Sequence, residues 1–196
     1  MKNTILLLVA FAVISCKKQQ SVDEENNNYR LELNKKITPN KPFFDFDEVT
    51  HYQISISEKD FLDLVHVDSV SEEGKLLSCL LEDPCPITQE EKVKFEKAIK
   101  SVDKQENVIN PKYYNELRNK IFTEKKCKES WAYACAPLYR DIFIFKKNKM
   151  ETGMAKICFE CQLFSFSNEE AVTDCFNMNG ELGRLKKIIL KNKKKN

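Results

Sequence analysis

Glycine is scarce in this chain: only 4 occur among its 196 residues. Gly-rich phosphate loops and dinucleotide-binding turns use glycine where the backbone approaches the ligand, so the shortage argues against both kinds of site. The sequence also lacks the G-x-S-x-G, H-E-x-x-H, P-loop and EF-hand patterns, and it has no internal repeat. No catalytic signature points to a reaction, which favours a protein that is not an enzyme.

Excess charge and histidine are also lacking. The formal net charge is +2, because 32 Lys and Arg nearly balance 30 Asp and Glu, and this balance predicts no nucleic-acid partner. The two histidines, His51 and His66, lie on different predicted elements and have no partner motif. We therefore interpret them as structural, on the surface or half-buried, and predict no metal and no cofactor.

The longest apolar run stands at the start of the sequence. Ile5 to Ile14 are apolar, Lys2 precedes them and Ser15-Cys16 follows. A helix needs about 20 apolar residues to cross a hydrocarbon core of about 30 Å, so this run is too short to span a membrane. It is typical of the apolar part of a signal peptide.

The end of that run, Val13-Ile14-Ser15-Cys16, resembles the lipobox of bacterial lipoproteins. The resemblance implies that residues 1–15 are removed as a signal peptide and that Cys16 is lipid-modified, for example with palmitate. Several acyl chains would tether the protein to a membrane without spanning it. The alternative is an ordinary secreted protein cleaved nearby, with Cys16 in a disulfide.

The residues after Cys16 suggest a location. The Ser-Cys-Lys-Lys opening and the richness in Lys and Asn resemble small lipoproteins of Bacteroidota. Lys17, in place of Asp, resembles an outer-membrane sorting pattern, and Asp23-Glu24-Glu25 resembles a surface-export signal of that phylum. The resemblance implies the cell envelope and the outer membrane, and it leaves the periplasmic and surface faces both open.

Composition divides the rest of the chain into three parts. Residues 16–42 are polar and Asn-rich, which predicts a flexible tether, because such a segment buries too little apolar surface to offset its ordering entropy. A short edge strand at Tyr29 to Leu33 is the alternative within it. Residues 43–190 have the length of a single globular domain, and residues 191–196 read as a basic tail.

Hydrophobic periodicity predicts an antiparallel sheet. Tyr52, Ile54 and Ile56 alternate with polar residues, as in a strand with one buried face. Ile142 to Phe145 is continuously apolar, which predicts a strand covered on both faces in the middle of a sheet. A polar turn then lets the chain pair back, so residues 138–159 predict a central hairpin.

Capping signals predict helices around this sheet. Thr88-x-x-Glu91 matches a capping box, and Asn110 before Pro111 matches an N-cap followed by proline at the first helical position. An apolar stripe after residue 180 predicts a last helix. The predicted fold class is α+β, with a small antiparallel sheet packed by three or four helices.

Cysteine gives the strongest site signal, since seven remain besides Cys16. An odd number in an exported protein leaves at least one thiol free, paired between chains or bound to a metal. If the hairpin turn centres near Asn148, the numbers of paired residues sum to about 296, which places Cys135 opposite Cys161. The candidate disulfide cysteines are Cys79, Cys85, Cys127, Cys135, Cys158 and Cys161.

Three kinds of chemistry stay open for these cysteines. Structural disulfides are the favoured interpretation in an oxidising compartment. Cys158 and Cys161 also have the C-x-x-C spacing of thiol–disulfide exchange proteins, and together with Cys127 and Cys135 they give a possible zinc set. We interpret the chain as a membrane-anchored, non-catalytic binding or structural module with an unidentified protein or small-ligand partner. The alternative is a thiol-redox or metal-handling protein that uses Cys158 and Cys161.

Overall fold

A computed structural model describes residues 25–65, 71–127 and 135–193 of the chain. Within these residues, five strands form one antiparallel sheet and six helices surround it, so the α+β prediction is confirmed. The predicted signal peptide, Cys16 and His66 lie outside the described residues. In the described part of the chain, no helix is both long enough and apolar enough to cross a membrane.

The predicted hairpin occupies the middle of the sheet. Phe143 pairs with Ala155, two positions further along than the predicted register, and a bulge follows Phe145. The strands are β1 Glu48–Ile54, β2 Lys104–Val108, β3 Asp141–Lys147, β4 Met150–Cys158 and β5 Leu163–Phe166. Neighbouring strands follow the order β2-β1-β3-β4-β5 and all pair antiparallel.

The capping signals are confirmed at two helices. Thr88 and Glu91 form a reciprocal capping box, and the Asn110 side chain accepts the backbone N–H of Lys112 next to Pro111. The second of these helices, α5, is irregular: a 3₁₀ turn Pro111–Tyr113, an α turn Tyr114–Glu116 and a π turn Leu117–Ile121. The other helices are α1 over residues 25–36, α2 Glu58–Val65, α3 Glu72–Leu81, α4 Gln89–Ser101 and α6 Glu181–Lys193.

Both faces of the sheet are buried, as the apolar run in β3 predicts. Phe143 and Phe145 point to a face packed by α5, α6 and an aromatic segment before β1. Ile142 and Met154 point to the other face, which α2, α3 and α4 cover. Helices α3 and α4, which also line a cavity described below, therefore lie on the opposite side of the sheet from α5 and α6.

The structure differs from the predicted tether at residues 25–36, which form α1 in place of flexible chain or an edge strand. Leu33 packs against the apolar cluster that contains Cys127. The Asn34 amide accepts the backbone N–H of Cys127 at 2.9 Å and donates to its carbonyl at 3.2 Å. These contacts are tertiary, so the composition of residues 16–42 alone does not reveal them. A tether before residue 25 stays a prediction.

The other end of the domain also extends further than predicted. Helix α6 continues to Lys193, so residues 191–193 are helical and are not part of a tail. Asn192 is buried, its amide donates to the Val108 carbonyl at 2.9 Å, and its side-chain oxygen accepts the Asn110 N–H at 2.9 Å. The polar last turn of α6 is thus hydrogen-bonded to the end of the edge strand β2 and to the residue that caps α5.

Gly153 in β4 gives a test of core packing. A Cβ there would overlap the ring of Phe44, which is buried and stacked on Phe145 with centroids 4.2 Å apart. We expect Gly153→Ala to lower the free energy of unfolding by about 1–3 kcal/mol, because the ring has no free space to enter. Urea denaturation measures this loss.

Gly183 in α6 is the matched control, because a Cβ there meets no atom within 4 Å. Gly183→Ala should raise stability by about 0.5–1 kcal/mol, since alanine is the better helix former. Equal effects of the two substitutions would contradict the packing of Phe44 against Gly153.

Candidate functional site

Two disulfides are present. Cys135 is bonded to Cys161, with Cα atoms 5.8 Å apart, which confirms the proximity predicted from the hairpin. Cys127 is bonded to Cys175, with Cα atoms 5.0 Å apart, and the sequence prediction did not include Cys175. Three cysteines of the possible zinc set, Cys127, Cys135 and Cys161, are thus bonded in disulfides and do not offer the thiolates that bind zinc.

Three of the predicted disulfide cysteines, Cys79, Cys85 and Cys158, are free thiols in the structure. Cys85 and Cys158 are buried, and Cys79 is half-buried. Burial raises the pKa of Cys85 to about 11, and burial also raises the pKa of Cys79. Both thiols are thus protonated at neutral pH, which makes them weak nucleophiles.

Cys79 and Cys85 line a cavity of about 600 Å³ between α3, α4 and the loop over residues 82–88. Its floor is apolar and includes the buried ring of Phe95. In the described part of the chain, no Lys or Arg side chain lines this cavity. Three carboxylates do line it: Asp83, Glu91 and Glu169.

Local hydrogen bonds fix the shape of the cavity wall. The Glu91 carboxylate accepts the backbone N–H groups of Ile87 and Thr88, each at 2.9 Å, and the backbone hydrogen bond from Thr88 is the largest cause of its lowered pKa. The N–H of Cys85 donates to Ser165 Oγ at 2.8 Å, which ties the loop to β5. Prolines on both sides of Cys85 restrict the backbone further. The wall is therefore pre-formed and carries an ionised carboxylate.

A buried lysine supports the same loop from below. Lys156 of β4 is fully buried, and its ammonium donates to the carbonyls of Cys79 at 3.2 Å, Asp83 at 2.5 Å and Pro84 at 3.5 Å. Cys79 is in the last turn of α3, and that turn contains no basic residue. Lys156 thus supplies the cation that a helix C-terminus favours. Burial lowers the pKa of this lysine to about 8.

A second thiol site lies where β4 ends, at the opposite end of the strand from the hairpin turn. Cys158 is only 2% exposed, and its Sγ accepts the backbone N–H of Cys161 at 3.4 Å. Its thiol donates to the Glu160 carboxylate at 3.8 Å, and Glu160 pairs with Arg140 at 3.5 Å. The predicted C-x-x-C pair is thus one free thiol and one sulfur that is already bonded to Cys135.

His51 is fully buried rather than on the surface or half-buried. Its Nε2 lies 2.7 Å from Asp141 Oδ1, and its ring stacks on Phe143 with centroids 4.6 Å apart. Nδ1 has no hydrogen-bond partner among the described residues. The pair lies within the sheet face that α5 and α6 cover, so we interpret it as part of the core. Within the described ranges, no group of three or more His, Cys, Asp or Glu is arranged to hold a metal.

Together these features define a disulfide-bonded α+β domain with a five-stranded antiparallel sheet and an acidic-rimmed cavity. No protein-family model matches the chain, and comparisons with curated proteins and with solved structures give no match either. Function is therefore inferred from the residues of the site.

Proposed function

We propose that the protein is a lipoprotein of the bacterial cell envelope, anchored in the outer membrane through acyl chains on Cys16, and that its globular domain is a non-catalytic binding module. The apolar run from Ile5 to Ile14 and the lipobox resemblance at Cys16 support the anchor. The two disulfides are compatible with an oxidising compartment. The binding partner is a small ligand or a protein segment that enters the cavity.

The observation that carries the binding function is the cavity of about 600 Å³. Ligand pockets commonly fall in the range of about 300–1,000 Å³, with apolar lining and a few fixed polar groups. Here the floor is apolar and the rim is acidic, which favours a ligand with an apolar body and a positively charged group. The raised pKa values of Cys79 and Cys85 favour binding over thiol catalysis at this site.

Phenethylamine is a suitable probe for the cavity, and phenethyl alcohol is its neutral counterpart. We expect the amine to bind more tightly, because only the amine can pair with the carboxylates of the rim. The double variant Asp83→Asn/Glu169→Gln should weaken amine binding roughly fivefold, as removal of exposed ion pairs does, without changing binding of the alcohol. Isothermal titration calorimetry measures both affinities.

Glu116→Gln is the control for that experiment, since Glu116 lies on α5, on the other side of the sheet. It should leave binding of the amine unchanged. Equal affinities for the amine and the alcohol, or an equal loss in the control variant, would rule out the acidic rim as the recognition element.

The anchor has its own test. Cys16→Ser should move the protein from the membrane fraction to the soluble fraction and abolish incorporation of radiolabelled palmitate, because the acyl chains have no other attachment point in this proposal. Cys79→Ser is the matched cysteine control and should stay in the membrane fraction. Membrane retention of the Cys16→Ser variant would contradict the lipid anchor.

A second candidate function, thiol–disulfide chemistry outside the cytoplasm, is favoured by one specific observation. The free thiol of Cys158 lies three residues before Cys161, whose sulfur is disulfide-bonded to Cys135. Reaction of a small dithiol with the native protein tests this function. Cys135–Cys161 should be reduced at least about tenfold faster than Cys127–Cys175, because Cys135 is exposed and Cys127 and Cys175 are buried.

A further inference from the structure

A free cysteine and a disulfide-bonded cysteine lie on the same turn, the one that joins β4 to β5. Cys158 is the last residue of β4, and Leu163, with which it pairs, is the first residue of β5. The turn between them contains Cys161, whose N–H donates to Cys158 Sγ at 3.4 Å. The free thiol is therefore hydrogen-bonded to the backbone of a residue that belongs to the Cys135–Cys161 disulfide.

Two charged side chains, Glu160 and Arg140, lie beside Cys158. The Glu160 carboxylate, 3.8 Å from Cys158 Sγ, is placed to accept the thiol proton. Arg140, 3.5 Å from the other carboxylate oxygen, keeps Glu160 in position. The N–H of Cys161 already donates to Cys158 Sγ, so this donor faces the sulfur from which the proton leaves.

We propose that these three cysteines exchange one disulfide within the chain, which moves the free thiol from the buried Cys158 to the exposed Cys135. Cys158 gives its proton to Glu160, and its thiolate attacks Cys161 Sγ. The Cys158–Cys161 bond forms as the Cys135–Cys161 bond breaks. Cys135 leaves as a thiolate and takes a proton from water, while Glu160 returns its proton to water. One S–S bond is lost and one is gained, so no external oxidant or reductant is needed.

The exchange has a functional consequence, and it rests on the proposed thiol chemistry. Cys158 is 2% exposed and cannot meet another molecule, whereas Cys135 is exposed. In the exchanged form, the Cys135 thiolate can attack an exposed disulfide of a small molecule or a protein and form a mixed disulfide with it. The internal step thus turns a buried free thiol into a reactive surface thiol.

Maleimide labelling of the native protein tests the exchange, in a Cys79→Ser background that removes the half-buried thiol of α3. The protein is incubated with N-ethylmaleimide, then denatured, digested without reduction and mapped by mass spectrometry. We expect the label to accumulate on Cys135, with Cys158 and Cys161 linked to each other. Label on Cys158 with Cys135–Cys161 intact, or no label on Cys135, would overturn the proposal.

Two variants give this test its controls. Cys158→Ser should abolish labelling of Cys135, because no thiol is left on the β4–β5 turn to displace it, while Cys127–Cys175 stays linked as a check of the fold. Glu160→Gln should slow labelling of Cys135 on the order of 100-fold, as expected for loss of a general base. Unchanged labelling rates in both variants would contradict the mechanism.

The dithiol experiment separates failure of the exchange from failure of the thiol function. If Cys135 is never labelled but the dithiol still reduces Cys135–Cys161 selectively, the internal exchange is wrong and the thiol function stands. If both disulfides resist the dithiol equally and Cys135 is never labelled, both are wrong.

Discussion

Removal of the Cys127–Cys175 disulfide is expected to lower the free energy of unfolding by about 2–4 kcal/mol. The bond links residues 48 positions apart, so it restricts the unfolded chain strongly. It also lies in the apolar cluster that holds α1 through Leu33. The double variant Cys127→Ala/Cys175→Ala should therefore lose stability in urea denaturation and expose the backbone of α1 to hydrogen exchange.

The matched control is Cys135→Ala/Cys161→Ala, which removes a shorter link of 26 positions where Cys135 is exposed. This variant should leave hydrogen exchange in α1 unchanged, since its disulfide does not belong to the cluster that packs against Leu33. Protection of α1 that survives loss of Cys127–Cys175 would contradict the docking of α1 on that disulfide.

The second large effect is a pH dependence that Lys156 imposes on stability. Its pKa is lowered to about 8 in the folded protein, below the ordinary value of 10.5, so the unfolded state holds more protons between these values. The stability of the wild type should therefore rise with pH relative to Lys156→Met. The expected gain is about 2 kcal/mol between about pH 7.5 and 9.5, measured by urea denaturation at each pH.

Cys85 acts in the opposite direction over part of this range. Its pKa is raised to about 11, so the folded state retains a proton that the unfolded thiol loses above about pH 9, and stability falls there. Wild type and Lys156→Met both contain Cys85, so this contribution largely cancels in their difference. Parallel curves for wild type and Lys156→Met would contradict the buried ammonium.

The central hairpin and the proximity of Cys135 to Cys161 follow from local sequence. Four consecutive apolar residues in β3 and one polar turn define which strands pair, and pairing fixes which cysteines meet. The error of two positions arises because the centre of the turn and the bulge after Phe145 depend on backbone conformation, which hydrophobic periodicity does not report.

Helix α1 and the partner of Cys127 could not be derived in the same way. Seven cysteines allow many arrangements, and Cys175 lies in an irregular segment with no strand register to place it. The residues of α1 gain order from contacts with Cys127, which is about 90 positions away in sequence. The composition of a segment indicates how much apolar surface it contains, but it does not indicate contacts with residues far away in the sequence.

One sequence feature near the cavity, the position of Lys156, could have been used to predict part of its wall. Lys156 stands between Ala155 and Ile157 in a buried strand, and a lysine in such a place needs fixed acceptors. The turn around Cys85 was predictable from its two prolines. That this turn meets Lys156 and forms a cavity wall depends on how α3 and α4 pack on the sheet, which the sequence alone does not indicate.

The pairing of the cysteines underlies both the stability of the domain and the exchange at Cys158, and a disulfide map tests it most directly. The native protein is denatured in excess maleimide at about pH 6, where thiol exchange is slow, and then digested without reduction. We predict two linked pairs, Cys127–Cys175 and Cys135–Cys161, with label on Cys79, Cys85 and Cys158. A map in which Cys127 is linked to any residue other than Cys175, or in which Cys79 is linked to Cys85, would contradict this account.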